Sequence, residues 1–115
     1  MTVVALTPDL MDRSKVTAAI DGVVHVGAAA LLARAVDEET ELVIVDATKA
    51  GALEAITNLS ATCRVVAFGP HVDDDLLAAA TAAGAEAMPR SRFFHQLDEG
   101  AFTPRKQSGN SPSSS

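Results

Sequence analysis

Three groups of residues in this chain have the types to do chemistry. Asp46 closes "LVIVD" (42–46), placing a carboxylate at the end of the most hydrophobic run. "GPHVDDD" (69–75) sets His71 and three aspartates in a turn after Gly69 and Pro70. "MPRSRFF" (88–94) sets Arg90 and Arg92 around Ser91 and beside Phe93 and Phe94. A carboxylate such as Asp46 can accept a phosphoryl group, ligate a metal, or cap the turn that follows, and spacing leaves all three open. His71 can act as a ligand or proton sensor. No second histidine accompanies it near Asp73 or Asp75, so bonding to a backbone carbonyl or to Asp73 is the favoured reading.

The elements that must position these residues are legible as an alternation. Apolar runs at 3–6 ("VVAL"), 23–26 ("VVHV"), 42–46, 64–68 ("RVVAF") and 86–88 ("EAM") read as strands. Their lack of polar alternation predicts strands covered on both faces, as in a parallel sheet. Segments 8–20, 28–39, 50–59, 73–83 and 91–99 have the length for crossover helices. Thr7 is expected to cap the first helix, with Pro8 at its first position and Asp9 near the dipole. Asp73, Asp74 and Asp75 open the fourth helix, Gly84 closes it, and Ser91 is expected to cap the last. The fold class is α/β: a three-layer, doubly wound, five-stranded parallel sheet. Sites in such sheets form outside the carboxyl ends of the strands. That rule gathers Thr7–Asp9, Gly27, Asp46–Lys49, Gly69–Asp73 and Pro89–Arg92 onto one rim.

Composition narrows the function. Apolar residues make up 48% of the chain but aromatic ones only 3%, so the core is expected to be aliphatic. The net charge is −6, and residues 1–100 carry 7 basic against 15 acidic side chains. An acidic body repels phosphate backbones, so no direct nucleic-acid binding is expected. The single cysteine, Cys63, allows no internal disulfide and fits a reducing compartment. No apolar run reaches the ~20 residues of a membrane span, and "MTVVALTPDL" lacks the basic region of a secretory leader. A cytoplasmic protein is expected, with residues 1–102 forming one domain and 103–115 a disordered tail.

With "LVIVD" ending in Asp46, "AAGAEAM" leading into the last strand, and Arg13 early in "VVALTPDLMDRSKV", the chain resembles the receiver domain of bacterial response regulators. The resemblance covers residues 3 to about 99 and implies strand order 2-1-3-4-5 with Asp46 as the phosphoacceptor equivalent. Receivers hold Mg²⁺ with two adjacent acidic residues after the first strand, where this chain has Thr7 and Pro8, the next acidic residue being Asp9. The hydroxyl residue that receivers carry after the fourth strand is here Gly69, followed by Pro70. The lysine they carry after the fifth strand aligns with Ser91 without a gap, or with Arg90 if one residue is deleted. Arg90 is preferred, because "PRS" matches the "PKS" of some receivers. The resemblance is therefore to an atypical receiver, or pseudo-receiver.

The expected function is a stand-alone, non-enzymatic signalling module acting by protein–protein contact. Its degenerate phosphorylation site would surround Asp46, with Asp9, Gly69, Pro70, His71, Arg90 and Ser91 in the switch region. Arg90 or Arg92 would form a fixed ion pair with Asp46, the alternative being that both arginines are solvated. One of Phe93 and Phe94 would enter the core, and the other, flanked by Arg90 and Arg92, would anchor a partner, the alternative being that both are buried under the last helix. No cofactor or metal is expected; Asp9 and Asp46 are weak candidates to hold Mg²⁺ if the phosphorylated alternative holds. That alternative is a functional single-domain response regulator phosphorylated on Asp46 by a histidine kinase. Two further possibilities are a small-ligand sensor and a homodimer through the fourth helix, fifth strand and fifth helix.

Overall fold

Valine, isoleucine and leucine crowd the three longest of five short segments that pair side by side. In the computed structural model, which describes residues 2–102, these are β1 (Thr2–Leu6), β2 (Val24–His25), β3 (Thr40–Asp46), β4 (Arg64–Gly69) and β5 (Glu86–Pro89). The tail expected at 103–115 lies outside the described residues. All four pairings are parallel and the order is β2-β1-β3-β4-β5. The helices are α1 (Leu10–Ala19), α2 (Leu32–Ala35), α3 (Ala52–Leu59), α4 (Asp74–Ala82) and α5 (Arg90–Asp98), with a 3₁₀ turn at Ala29–Leu31.

Successive strand side chains point to opposite faces, and each face carries its own core. Val4, Leu6, Val43, Val45, Val65 and Ala67 pack against Leu32 of α2, Ile56 of α3 and Ala80 of α4. Val3, Ala5, Leu42, Ile44, Val66 and Phe68 pack against Val16 of α1 and Phe93 and Leu97 of α5. The second face also gathers every phenylalanine of the protein. Phe68 stacks on Phe93 at 4.7 Å, Phe93 on Phe102 at 5.2 Å, and Phe94 meets Phe93 edge-on at 4.9 Å. A chain poor in aromatics thus concentrates them in one column beneath α5.

Three local expectations are corrected. Asp9, not Thr7, caps α1, because its carboxylate accepts from the amides of Met11 and Asp12 while Thr7 is still buried at the end of the sheet. The segment expected as a helix over 28–39 yields only a 3₁₀ turn and one short helix. Ala28 offers no capping side chain, and a side-chain-bonded turn ends the segment: Thr40 Oγ1 accepts from the Asp37 amide, and Asp37 Oδ1 accepts from the Glu39 amide. Such local bonds compete with helical ones and let β3 begin at Thr40. Ser91 is not a cap, since α5 starts at Arg90 directly after Pro89, with no capping side chain.

Asp73 does cap α4, and Gly84 follows that helix with φ +114°. A Cβ at Gly84 would lie 2.6 Å from Ser60 Cβ, and closer still to the Ser60 hydroxyl that donates to the Ala83 carbonyl. Both the backbone angle and the packing therefore require glycine. Gly84→Ala is expected to cost about 2–3 kcal/mol in urea denaturation. A change within about 0.5 kcal/mol, the range of ordinary surface substitutions, would contradict this.

Candidate functional site at the carboxyl ends of the strands

The site is built on the α1/α5 face, where the strands run out. Asp46 is the last residue of β3 and pairs in register with Phe68 of β4. By alternation its side chain shares a face with Leu42, Ile44 and Phe68, and Thr7 continues the face of Val3 and Ala5 on β1. Asp46 is only 5% exposed. Its Oδ1 accepts from the Thr48 amide at 3.0 Å and the Thr48 hydroxyl at 2.7 Å, a turn closed from within the next two residues. The capping possibility raised by the sequence is thus realised at one carboxylate oxygen.

Arg90 does not pair with Asp46. Its guanidinium forks onto Asp12 of α1, with Nη1 3.1 Å from Oδ2 and Nη2 2.5 Å from Oδ1. The reason is geometric: α1 and α5 flank the same sheet face, so a long side chain from the start of α5 can bridge to α1 above the strand ends. Asp12 is the buried partner, its side chain 3% exposed against 45% for Arg90. The guanidinium rests on an aromatic floor, 5.6 Å from the Phe68 ring centre and 5.3 Å from that of Phe94. Arg90 is held above its ordinary range, first by the hydrogen bonds to Asp12 and then by attraction to Asp12, Asp46 and Asp9, which outweigh its partial burial. One guanidinium therefore lies in the field of three carboxylates.

The other sequence candidates disperse around this centre. Gly69 ends β4 buried, and a Cβ there would come 3.2 Å from Leu76 Cδ2 and 3.5 Å from Leu77 Cδ2. A side chain there would press on the leucines of α4. Pro70 is half-buried and accepts the Asp73 amide at its carbonyl, while His71 is exposed. Ser91 and Arg92 are exposed. Phe93 is 0% exposed and fills the core, so it offers no surface to a partner. Phe94 is half-buried, with the Lys15 ammonium 4.9 Å from its ring centre.

Asp12 and Thr48 were not singled out by sequence reasoning. The signal for Asp12 was present: positions 12, 16 and 20 form one helical face, and a carboxylate in line with Val16 and Ile20 requires a cation. Thr48 follows Asp46 at the spacing of a side-chain-bonded turn.

The receiver resemblance implies Mg²⁺ here, and the donor set does not fit it. Magnesium takes near-octahedral oxygen ligation with one or two carboxylates. Asp9 Oδ1 is committed to the α1 cap, both oxygens of Asp12 to Arg90, and Asp46 Oδ1 to Thr48. Pro8 has no donor. Among the described residues no group of three or more His, Cys, Asp or Glu side chains is arranged to hold a metal ion.

His25, on the edge strand β2, meets Thr17 Oγ1 at 2.9 Å through Nε2. Burial, and then the charge of Arg13, hold its pKa below 6.5. Cys63 is half-buried, and burial pushes its thiol up, away from reactivity.

No family model matches the chain, and no curated protein matches it. Among solved structures it is similar to a response regulator from Thermotoga maritima, with a TM-score of 0.64 and 18% identity, over 85% of this chain and 94% of that one. The chain has the receiver-like fold. No described helix is long and apolar enough to cross a membrane.

Two outcomes follow from this geometry. Arg90→Ala strands a buried carboxylate and is expected to cost about 2 kcal/mol, below the 3–5 of a fully buried pair because the arginine is partly solvated. Asp12→Ala added to it should recover about 1 kcal/mol or more. Strict additivity in urea denaturation would contradict the pairing. For His25 the folded pKa lies below the unfolded one, so the unfolded state takes the proton first as pH falls. Stability relative to His25→Gln should therefore drop as pH falls from about 6.5 through the folded pKa. Parallel pH–stability curves for the two proteins would contradict that.

Proposed function

We propose that the chain is an atypical receiver, a non-enzymatic cytoplasmic signalling module that works by protein–protein contact rather than by phosphoryl turnover at Asp46. The observation that carries this reading is the Arg90–Asp12 fork across the acidic rim. Phosphoryl transfer to a carboxylate depends on positioning and on neutralising developing charge. Here the cation that could neutralise it is committed to Asp12, Gly69 supplies no hydroxyl, and the donors for a divalent metal are spent elsewhere.

Protein contact is supported by what the rim exposes. Leu10 and Met11 at the start of α1 and Val72 after β4 are each at least 70% exposed. Large apolar side chains held in water beside a ring of aspartates have the composition of a docking surface. The face of α4, β5 and α5, with Arg92 and the edge of Phe94, is the proposed contact for a second copy.

Incubation with acetyl phosphate and Mg²⁺, followed by intact mass measurement, tests the reading. The wild type is expected to gain no stable phosphoryl adduct. An adduct that Asp46→Asn abolishes would overturn the reading in favour of a response regulator phosphorylated on Asp46 by a histidine kinase.

A further inference from the structure

We propose that His25 is a proton-operated latch: neutral, it holds the edge strand β2 against α1, and protonated, it releases β2 while the rest of the sheet stays folded. This goes beyond the receiver reading and does not depend on it, since β2 lies at the far edge of the sheet from β5 and Arg90.

Three observations converge on this ring. β2 is only two residues long and pairs with β1 alone, at Val4 and Ala5. His25 is in register with Ala5, so its side chain shares the α1 face of the sheet, and there Nε2 meets Thr17 Oγ1 at 2.9 Å. That contact ties a weakly paired strand to a helix. Second, His25 Nδ1 is buried and has no hydrogen-bond partner among the described residues. The neutral ring can place its one hydrogen on Nε2, toward Thr17, but the charged ring carries N–H on both nitrogens. Nδ1–H would then be a buried donor with nothing to accept it. Third, Arg13 precedes Thr17 by one turn on the same face of α1, its Nε is likewise buried and unpartnered, and its charge acts on the ring. No other group offsets that charge. β1 carries no titratable side chain, Asp12 is forked by Arg90, and Lys15 lies over Phe94. Asp21 before β2 and Arg34 of α2 are exposed, and no carboxylate pairs with the ring among the described residues. Protonation therefore creates an unpaired donor beside a like charge, and opening β2 to water relieves both. Because the closed form holds its pKa below 6.5, the opened form takes the proton first, and opening is favoured as pH falls from about 6.5.

Amide hydrogen exchange in the full chain, corrected for its intrinsic pH dependence, tests the latch. The probe is Val26, directly after β2, whose N–H donates to the Ala5 carbonyl at 2.9 Å. The reference is Ile44 in β3, a strand flanked on both sides. At pH 7.5 Val26 is expected to be about tenfold or more less protected than Ile44. By pH 5 it should lose about a further threefold or more. In His25→Gln that pH-dependent loss should vanish, and in Arg13→Gln it should shrink. Protection of Val26 equal to that of Ile44 would overturn the proposal, since β2 would then open only with the whole sheet. A loss absent from the wild type, or undiminished in His25→Gln, would overturn it as well. Should His25→Gln fail to fold, Arg13→Gln carries the decision: a smaller loss supports the latch, and an unchanged one overturns it.

Discussion

A buried carboxylate in the first helix of an α/β protein is a constraint that everything around it must answer. Asp12 lies on the face of α1 that packs against the sheet, in line with Val16 and Ile20, and water does not reach it. Desolvation of an unpaired charge costs several kcal/mol, so a cation had to be brought to it. The cation comes from the start of α5, directly after β5, and reaches Asp12 over the Phe68 ring of β4. That reach lays a guanidinium over Phe68 and within the field of Asp46. The commitment of both Asp12 oxygens and the tie between α1 and α5 follow from this one ion pair.

The aromatic column is the mechanical counterpart of that pair. Phe93 stacks between Phe68 and Phe102, and Phe94 turns its edge toward Phe93 while Lys15 and Arg90 lie over its ring. Aromatic pairs add about 0.5–1.5 kcal/mol each beyond the area they bury, and here they also fix the start of α5. An α5 held in this way presents Arg90 at a set height above the strand ends. Core packing and the composition of the site are therefore linked through one helix.

Much of this was legible in the residues. Five apolar runs without polar alternation gave the parallel sheet, and the strand-end rule gathered Asp46, Gly69 and Arg90 on one rim. What could not be read was where long side chains end up. Arg90 was expected to pair with Asp46, but the fork goes to Asp12, because helix-to-helix distance across a sheet face is invisible in a linear chain. Thr7 and Asp9 both have capping chemistry, and only the point where β1 leaves the sheet decides between them. The shortness of α2 within the segment expected as a helix over 28–39 escaped notice, because the Asp37–Thr40 turn that follows it depends on two hydrogen bonds rather than on a breaker residue.

The most direct measurement concerns Arg90 itself. In a ¹⁵N NMR spectrum of guanidinium groups, a forked guanidinium rotates slowly about its Cζ–N bonds and shows separate Nη resonances, whereas a solvated one averages them. Arg92, exposed two residues away, is the internal reference. Arg90 is expected to give resolved Nη signals that collapse in Asp12→Asn and persist in Asp46→Asn. Averaged signals for Arg90, indistinguishable from those of Arg92, would contradict the account.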